Sequence, residues 1–379
     1  MRIGHRVIQP LILAAAIAAA GLACAASEPE NARGIVGGRG AGAAPFRQVV
    51  LRSEPFLIEE QMGSMEGPAQ MYPVSLDAAP DDLVWLRGVR NRAIVEDGDP
   101  ALSEELLCHS NLALAGGPEQ LLRANDLFAA TPGTDPRLFT LIQGRNEVGL
   151  PAGFAFPVTG AEALRFDTMV INENVEELPL ELVVETIVEY ALDHELAERP
   201  QPLFKRRLFT YLEVAAEGEG HGDERAHHHG AARSNSGLDT AEKASSLYGR
   251  DTAGHEYTFH WLVEPGRHDY TSEDTDQLAL PFSTTLHYAT AHLHPYGESA
   301  RIVDRASGET VLELRARQLE GRVGIAEMEE YSSTTGLLFD AERRYDLVIV
   351  YDNTTEQPID AMAIVYLFLH DRGFRIAAR

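Results

Sequence analysis

The chain has 379 residues, with 32 basic and 58 acidic side chains, a net charge of −26 with histidine neutral, and two cysteines, Cys24 and Cys108. Such a charge argues against nucleic acid and an anionic membrane surface as partners. Two cysteines rule out a disulfide-stapled mini-domain, so the fold must rest on burial, for which the length allows two domains with cores of their own.

The first residues read as an export signal covering residues 1–26. Arg2 and Arg6 precede an apolar run from Val7 to Ala20, and small residues follow at Gly21, Ala23, Ala25 and Ala26. The run is short and broken by Pro10, unlike a permanent transmembrane span. The expected location is therefore periplasmic, cell-surface or extracellular. Cys24 leaves two routes open: lipidation, which would supply the chain's one membrane contact, or ordinary cleavage within Ala23–Ala26. Residues 27–44 show no periodicity and read as a disordered lead-in.

Beyond residue 45 the pattern is mostly strand. Alternating or β-rich runs occur at Leu164–Asn172, Leu180–Tyr190, Leu208–Val214, Leu286–His294, Thr310–Arg315, Arg344–Tyr351 and Ala361–Leu369. Only Pro118–Ala129 reads as a short helix. Strands without intervening helices predict an all-β protein of two jelly-roll-like antiparallel β-sandwich domains in tandem, residues 45–215 and 255–373. Between them, residues 216–254 are rich in Gly, His and acids, and include His221, His227, His228 and His229. This is a linker or loop, either a solvated insert or a loose metal trap.

The motif that stands out is His292-Leu293-His294, with Met362 far downstream. Side chains at i and i+2 of a strand share a face, so the two imidazoles converge. Adding a thioether makes a soft, open site that suits copper. The bland alternative is two ordinary strand histidines and a core methionine, since roughly one chain in two of this composition contains His-x-His by chance. His287 has the opposite parity to His292 unless a bulge intervenes. His255 and His260 also differ in parity, and one of them is a candidate donor orienting an imidazole. Acidic runs such as Glu173–Glu177 read as solvated faces. No P-loop, G-x-S-x-G, dinucleotide or H-E-x-x-H motif is present.

The order of the His292-Leu293-His294 strand, the Asp346–Asn353 strand and the strand beginning Asp360-Ala361-Met362 resembles the second catalytic domain of the copper type II, ascorbate-dependent monooxygenases. That is the family of peptidylglycine α-hydroxylating monooxygenase and dopamine β-monooxygenase. The first half is more faintly similar, through Leu107-Cys108-His109-Ser110 and the Leu150-Pro151-Ala152-Gly153-Phe154 turn. Ser64-Met65-Glu66-Gly67-Pro68 and Cys108-His109-Ser110-Asn111-Leu112 place it in a bacterial branch.

The resemblance implies copper at His292, His294 and Met362, ascorbate or another reductant, and a small-molecule or peptide-like substrate between the domains. Tyr366, four residues after Met362 and on its strand face, is expected to line the pocket. In the first half, Cys108 and His109 are open to two readings, a Cu(I) site or a buried cysteine beside a hydrogen-bonded histidine. The family's third histidine there falls near Ile171. Thr290 and Ile364 stand where the peptide-amidating enzymes clamp a substrate carboxylate, and losing an arginine fork there argues against a glycine-extended peptide. Three functions remain open: an exported copper-dependent monooxygenase-like protein, a non-catalytic copper-binding surface protein or carrier, and a binding or structural sandwich without metal.

Overall fold

The computed structural model describes residues 35–36, 46–64, 66–95, 104–116, 120–129, 136–214, 248–250 and 256–376. The export segment, Cys24, His255 and the histidines at 221 and 227–229 lie outside the described residues. Within the lead-in, Ile35–Val36 is described as a short strand paired with Val49 and Val50.

The fold is all-β and mostly antiparallel, as the alternation predicts. In the first half a four-stranded sheet runs in the order Ala69–Val74, Leu164–Val170, Leu107–Leu114, Arg137–Ile142. It faces a sheet built on Arg47–Arg52, Leu180–Leu192, Leu83–Val95 and Phe154–Thr159. Tyr72 and Thr186 join the two layers through a buried hydroxyl pair at 3.1 Å. Gln201–Phe209, still within residues 45–215, forms one layer with the second-half strands Ala363–His370, Thr284–Leu293 and Glu330–Phe339. The five-stranded sheet containing Gly266–Glu273, Tyr345–Asn353, Gly297–Asp304, Thr310–Gln318 and Ile325–Met328 is also built from second-half residues.

The halves share a sheet. Gln201–Phe209 pairs in parallel with Phe154–Thr159 at Gln201↔Phe154 and Pro202↔Ala155, and antiparallel with Ala363–His370 along its length. Strand pairing therefore runs unbroken from one half to the other. The core is continuous too: the Phe139 ring lies 6.3 Å from Phe156 and 5.4 Å from Phe368, one in each half.

A polar clasp completes the join. The Gln143 amide accepts from the Ile325 N–H at 2.9 Å and donates to the Glu105 carbonyl at 3.1 Å. Asn174 exchanges two hydrogen bonds with the Val323 backbone at 2.8 and 2.9 Å, and Arg322 pairs with Glu105. Gly144 makes this approach possible. It sits at φ +79°, and a Cβ there would fall 2.7 Å from Ile325 Cγ2.

Local outcomes differ from the sequence pattern in detail. The expected helix is two separate turns, Gln120–Arg123 and Asp126–Ala129. The Leu208–Val214 run is divided between Gln201–Phe209 and Leu212–Val214. The final strand breaks at Met362: Ile359–Ala361 pairs with Trp261–Val263, whereas Ala363–His370 pairs with Thr284–Leu293. Among the described residues no helix is long and apolar enough to cross a membrane.

Phe139→Ala tests the shared core. Removing a wholly buried aromatic is expected to cost about 3–5 kcal/mol, read as a lower urea midpoint with an unchanged slope.

Candidate metal centre

Thr284–Leu293 is an interior strand, held between Glu330–Phe339 and Ala363–His370. Its register places His292 opposite Ile364 and Thr290 opposite Tyr366, so these side chains share a face. His294 leaves the strand end, and its imidazole centroid stays 5.6 Å from that of His292. Its backbone is fixed by Tyr351, whose hydroxyl accepts from the His294 N–H at 3.0 Å and donates to the Met362 carbonyl at 2.7 Å. The late methionine is thus tied by its main chain to the His-x-His segment.

A carboxylate that the sequence pattern did not single out lies at the middle of the cluster. Trp261–Val263 pairs with Ile359–Ala361, which brings His260 beside Asp360. Asp360 Oδ1 lies 3.3 Å from His260 Nδ1, and Oδ2 lies 3.0 Å from His294 Nδ1. These three residues each offer a ligand atom, all within 4.8 Å of one another. Both imidazoles are buried.

The geometry is more than a hydrogen-bonded carboxylate. His294 Nδ1 is buried and has no aligned hydrogen-bond partner despite the close Oδ2, and His260 Nε2 is likewise unpartnered. Buried polar atoms left in this way are costly and rare. Around an ion with bonds of about 2.0–2.1 Å, neighbouring tetrahedral ligand atoms sit about 3.3 Å apart, and each lone pair points at the ion rather than at the next ligand. The His294 contact is of this kind, whereas His260 Nδ1 is aligned on Asp360 Oδ1 as a hydrogen bond.

Electrostatics favour the ionised form of Asp360 and the neutral forms of the neighbouring His292 and His109. Burial pushes the Asp360 carboxyl up, but the close imidazoles of His260 and His294 outweigh it and hold the group well below the usual carboxylate range. Burial, followed by the neighbouring imidazoles and Arg137, pushes His292 well below the ordinary histidine range. His109 is lowered to about 4 by burial, then by Arg137 and His294. A neutral imidazole is the form that binds metal.

The first half reaches the same cluster. His109 lies with its ring 6.0 Å from His292, and its Nδ1 is 3.3 Å from Cys108 Sγ. Ser64 Oγ stands 3.1 Å from His294 Nε2 and 3.9 Å from Cys108 Sγ. The loop carrying Ser64 is pinned by reciprocal backbone bonds between Met62 and Asn172 at 2.6 and 3.2 Å. It is also wedged at Gly67, where a Cβ would fall 1.7 Å from the Val170 carbonyl oxygen.

Other expectations resolve variously. Tyr366 is buried on the His292 face, with the Lys205 ammonium 5.2 Å from its ring centre. The bulge that His287 required does occur, between Leu286 and Tyr288. His287 nevertheless has both ring nitrogens engaged, by Ser333 O and Thr285 Oγ1, each at 2.8 Å, and stacks on Phe154. Glu173 is not on a solvated face. Its Oε2 is buried without a hydrogen-bond partner, and burial raises its carboxyl to about 7, with His294 opposing and Glu66 assisting.

No family model matches this chain. No curated protein matches it either. Solved structures similar to it include PBCV-1 VP54, at 12% identity and TM-score 0.33, covering 88% of this chain and 97% of that one. The STIV MCP is similar at 8% identity and TM-score 0.31, covering 86% of this chain and all of that one, 100%. At such values the likeness carries no argument about function.

These findings correct the family resemblance. The match to the copper type II monooxygenases is not upheld, since no family model or curated relative supports it and the similar structures are viral capsid jelly-roll proteins. The reason is physical: a His-x-His pair and a strand order are features that antiparallel sandwiches of many kinds share.

Two measurements test the site as drawn. The folded pKa of His109, about 4, lies below the ordinary 6.5. The unfolded chain therefore binds more protons between those values, and this residue's contribution to stability falls as pH drops through that window. His109→Asn should accordingly make urea stability less pH-dependent between pH 6.5 and 4.5 than in the parent; parallel curves would contradict the assigned burial. Gly67→Ala should shift the Ser64 loop and lower the thermal midpoint, because backbone, not a flexible side chain, blocks the added Cβ.

Proposed function

We propose that this chain is an exported metal-binding β-sandwich protein whose centre is His260, His294 and Asp360. The observation that carries the reading is the buried His294 Nδ1, 3.0 Å from Asp360 Oδ2 yet without an aligned hydrogen bond. The N-terminal apolar run supports export. Two imidazoles and one carboxylate suit Cu(II), Zn(II) and Fe(II), and among divalent ions of the first row copper binds such a set most tightly. When bound, such an ion supplies Lewis acidity or, for copper and iron, one-electron chemistry.

The chain's own residues have definable roles. Asp360 supplies the charge that the imidazoles lack and aligns both of them. With His294 Nδ1 turned to the ion, its Nε2–H donates to Ser64 Oγ, which fixes tautomer and ring orientation. His292 and His109, both neutral, line the first-half side of the centre. Of the copper ligands expected from the sequence, His294 belongs to this set, His292 has its ring 5.6 Å from that of His294, and Met362 is tied to the same segment through its carbonyl.

A second reading rests on the Ser64 contact. Ser64 Oγ on one nitrogen of His294 and Asp360 on the other is also the arrangement of a hydrolase relay. The poor alignment at Nδ1 and the sharing of Asp360 with His260 favour metal.

The test is metal analysis and Cu(II) and Zn(II) titration of chelator-stripped full-length protein. One equivalent is expected, with at least a tenfold weaker affinity in Asp360→Ala and in His294→Ala. Metal uptake unchanged in both folded variants would overturn the proposal. Ser64→Ala separates the readings: it leaves the metal bound, whereas loss of labelling by a serine-reactive fluorophosphonate would favour the relay. Oxygen uptake by the copper-loaded protein with ascorbate reports whether the centre turns over.

A further inference from the structure

A cavity of about 550 Å³ opens where the two halves meet, at the His370 end of Ala363–His370, the end opposite Met362. It lies beside the junction of Ala363–His370 with Gln201–Phe209, and its walls include Trp85, Pro202 and Phe374. The Trp85 and Phe374 rings pack edge to face at 5.9 Å. Such a volume, with rings and prolines set beside Gln201, Arg199, Asp371 and Arg372, falls within the range of small-molecule sites.

The charges around it are unequal. Arg199 is neutralised by Asp193, which takes it through two bonds at 2.5 and 2.6 Å and also accepts the Trp85 indole N–H at 2.8 Å. Asp371 is buried, and burial raises its carboxyl, with Arg206 opposing; Oδ1 accepts the Gly373 N–H at 2.8 Å and Oδ2 has no hydrogen-bond partner. His370 is held down to about 4, by burial and then by His287 and Arg372, so it adds no charge at neutral pH. Arg372 is left: it is exposed, lines the cavity, and has no ion pair among the described residues. What distinguishes Arg372 is its place: an exposed guanidinium beside the Phe374 and Trp85 rings at the mouth of a cavity, in a chain of net charge −26.

We propose that this cavity binds a small organic carboxylate with a ring-shaped body. The carboxylate takes the Arg372 fork in a charge-assisted pair. The ring lies against Phe374 and Pro202, and the Gln201 amide supplies a further donor. An aromatic acid and a sugar acid share this chemistry.

Calorimetric titration of the full-length protein distinguishes them, with benzoate and glucuronate as probes and benzamide and glucose as their uncharged counterparts. One of the two acids is expected to bind at least tenfold more tightly than its uncharged counterpart, and which one does so identifies the ring class. Arg372→Gln should weaken that acid at least tenfold. Arg372→Lys should recover only part of the loss, because an ammonium lacks the planar fork. Asp360→Ala should leave it unchanged, which keeps this site separable from the metal centre. No saturable binding of either acid, equal affinity for acid and uncharged counterpart, or indifference to Arg372→Gln in a variant with parental circular dichroism would each overturn the proposal.

Discussion

The hydroxyl of Tyr351 sits between two segments that meet only in the folded chain, taking a hydrogen bond from the His294 amide and giving one to the Met362 carbonyl. The phenol is fully buried, so neither backbone group has water as an alternative partner. Leaving either unsatisfied in that interior would cost about 1–3 kcal/mol. Burial raises the phenol above its ordinary range, so it remains a donor at neutral pH. From this one contact follows the position of His294 relative to the strand break at Met362, and with it the approach of Asp360, two residues earlier, to the imidazole.

The second constraint is the shared sheet. Because Gln201–Phe209 pairs with strands of both halves, the halves have little freedom to rotate against each other. The clasp of Gln143, Asn174 and Arg322 acts at a separate point on the join. Two attachments fix an orientation that one would leave loose. This brings His109, Ser64 and Glu173 of the first half onto histidines of the second, in a cluster that neither half contains alone. A centre so assembled is preorganised, since its supports are strand registers rather than exposed loops.

The cluster concentrates imidazoles and carboxyls in a strongly acidic chain while keeping His109 and His292 neutral. Burial is the first cause for His109 and His292, and mutual repulsion among the imidazoles adds to it. Asp360 moves in the opposite direction because two imidazoles face one carboxylate. For Glu173 burial prevails instead: it pushes the carboxyl up, with His294 opposing and Glu66 assisting.

Local pattern was enough to determine the all-β character of the chain, the positions of strands such as Thr284–Leu293 and Tyr345–Asn353, and the shared face of His292 and Tyr366. Those properties depend on a two-residue period, which is written in consecutive side chains. The importance of His260 was visible only as one of two parities, and that of Asp360 and Ser64 was not visible. Their roles depend on which strand pairs with which: Trp261–Val263 with Ile359–Ala361, and the Ser64 loop with Asn172. Glu173 looked solvated because acidic runs generally are, yet the meeting of the two halves buried it. Alternation along a strand is a local property of the chain, whereas a site made from distant segments is decided by long-range pairing and burial, which only the tertiary structure determines.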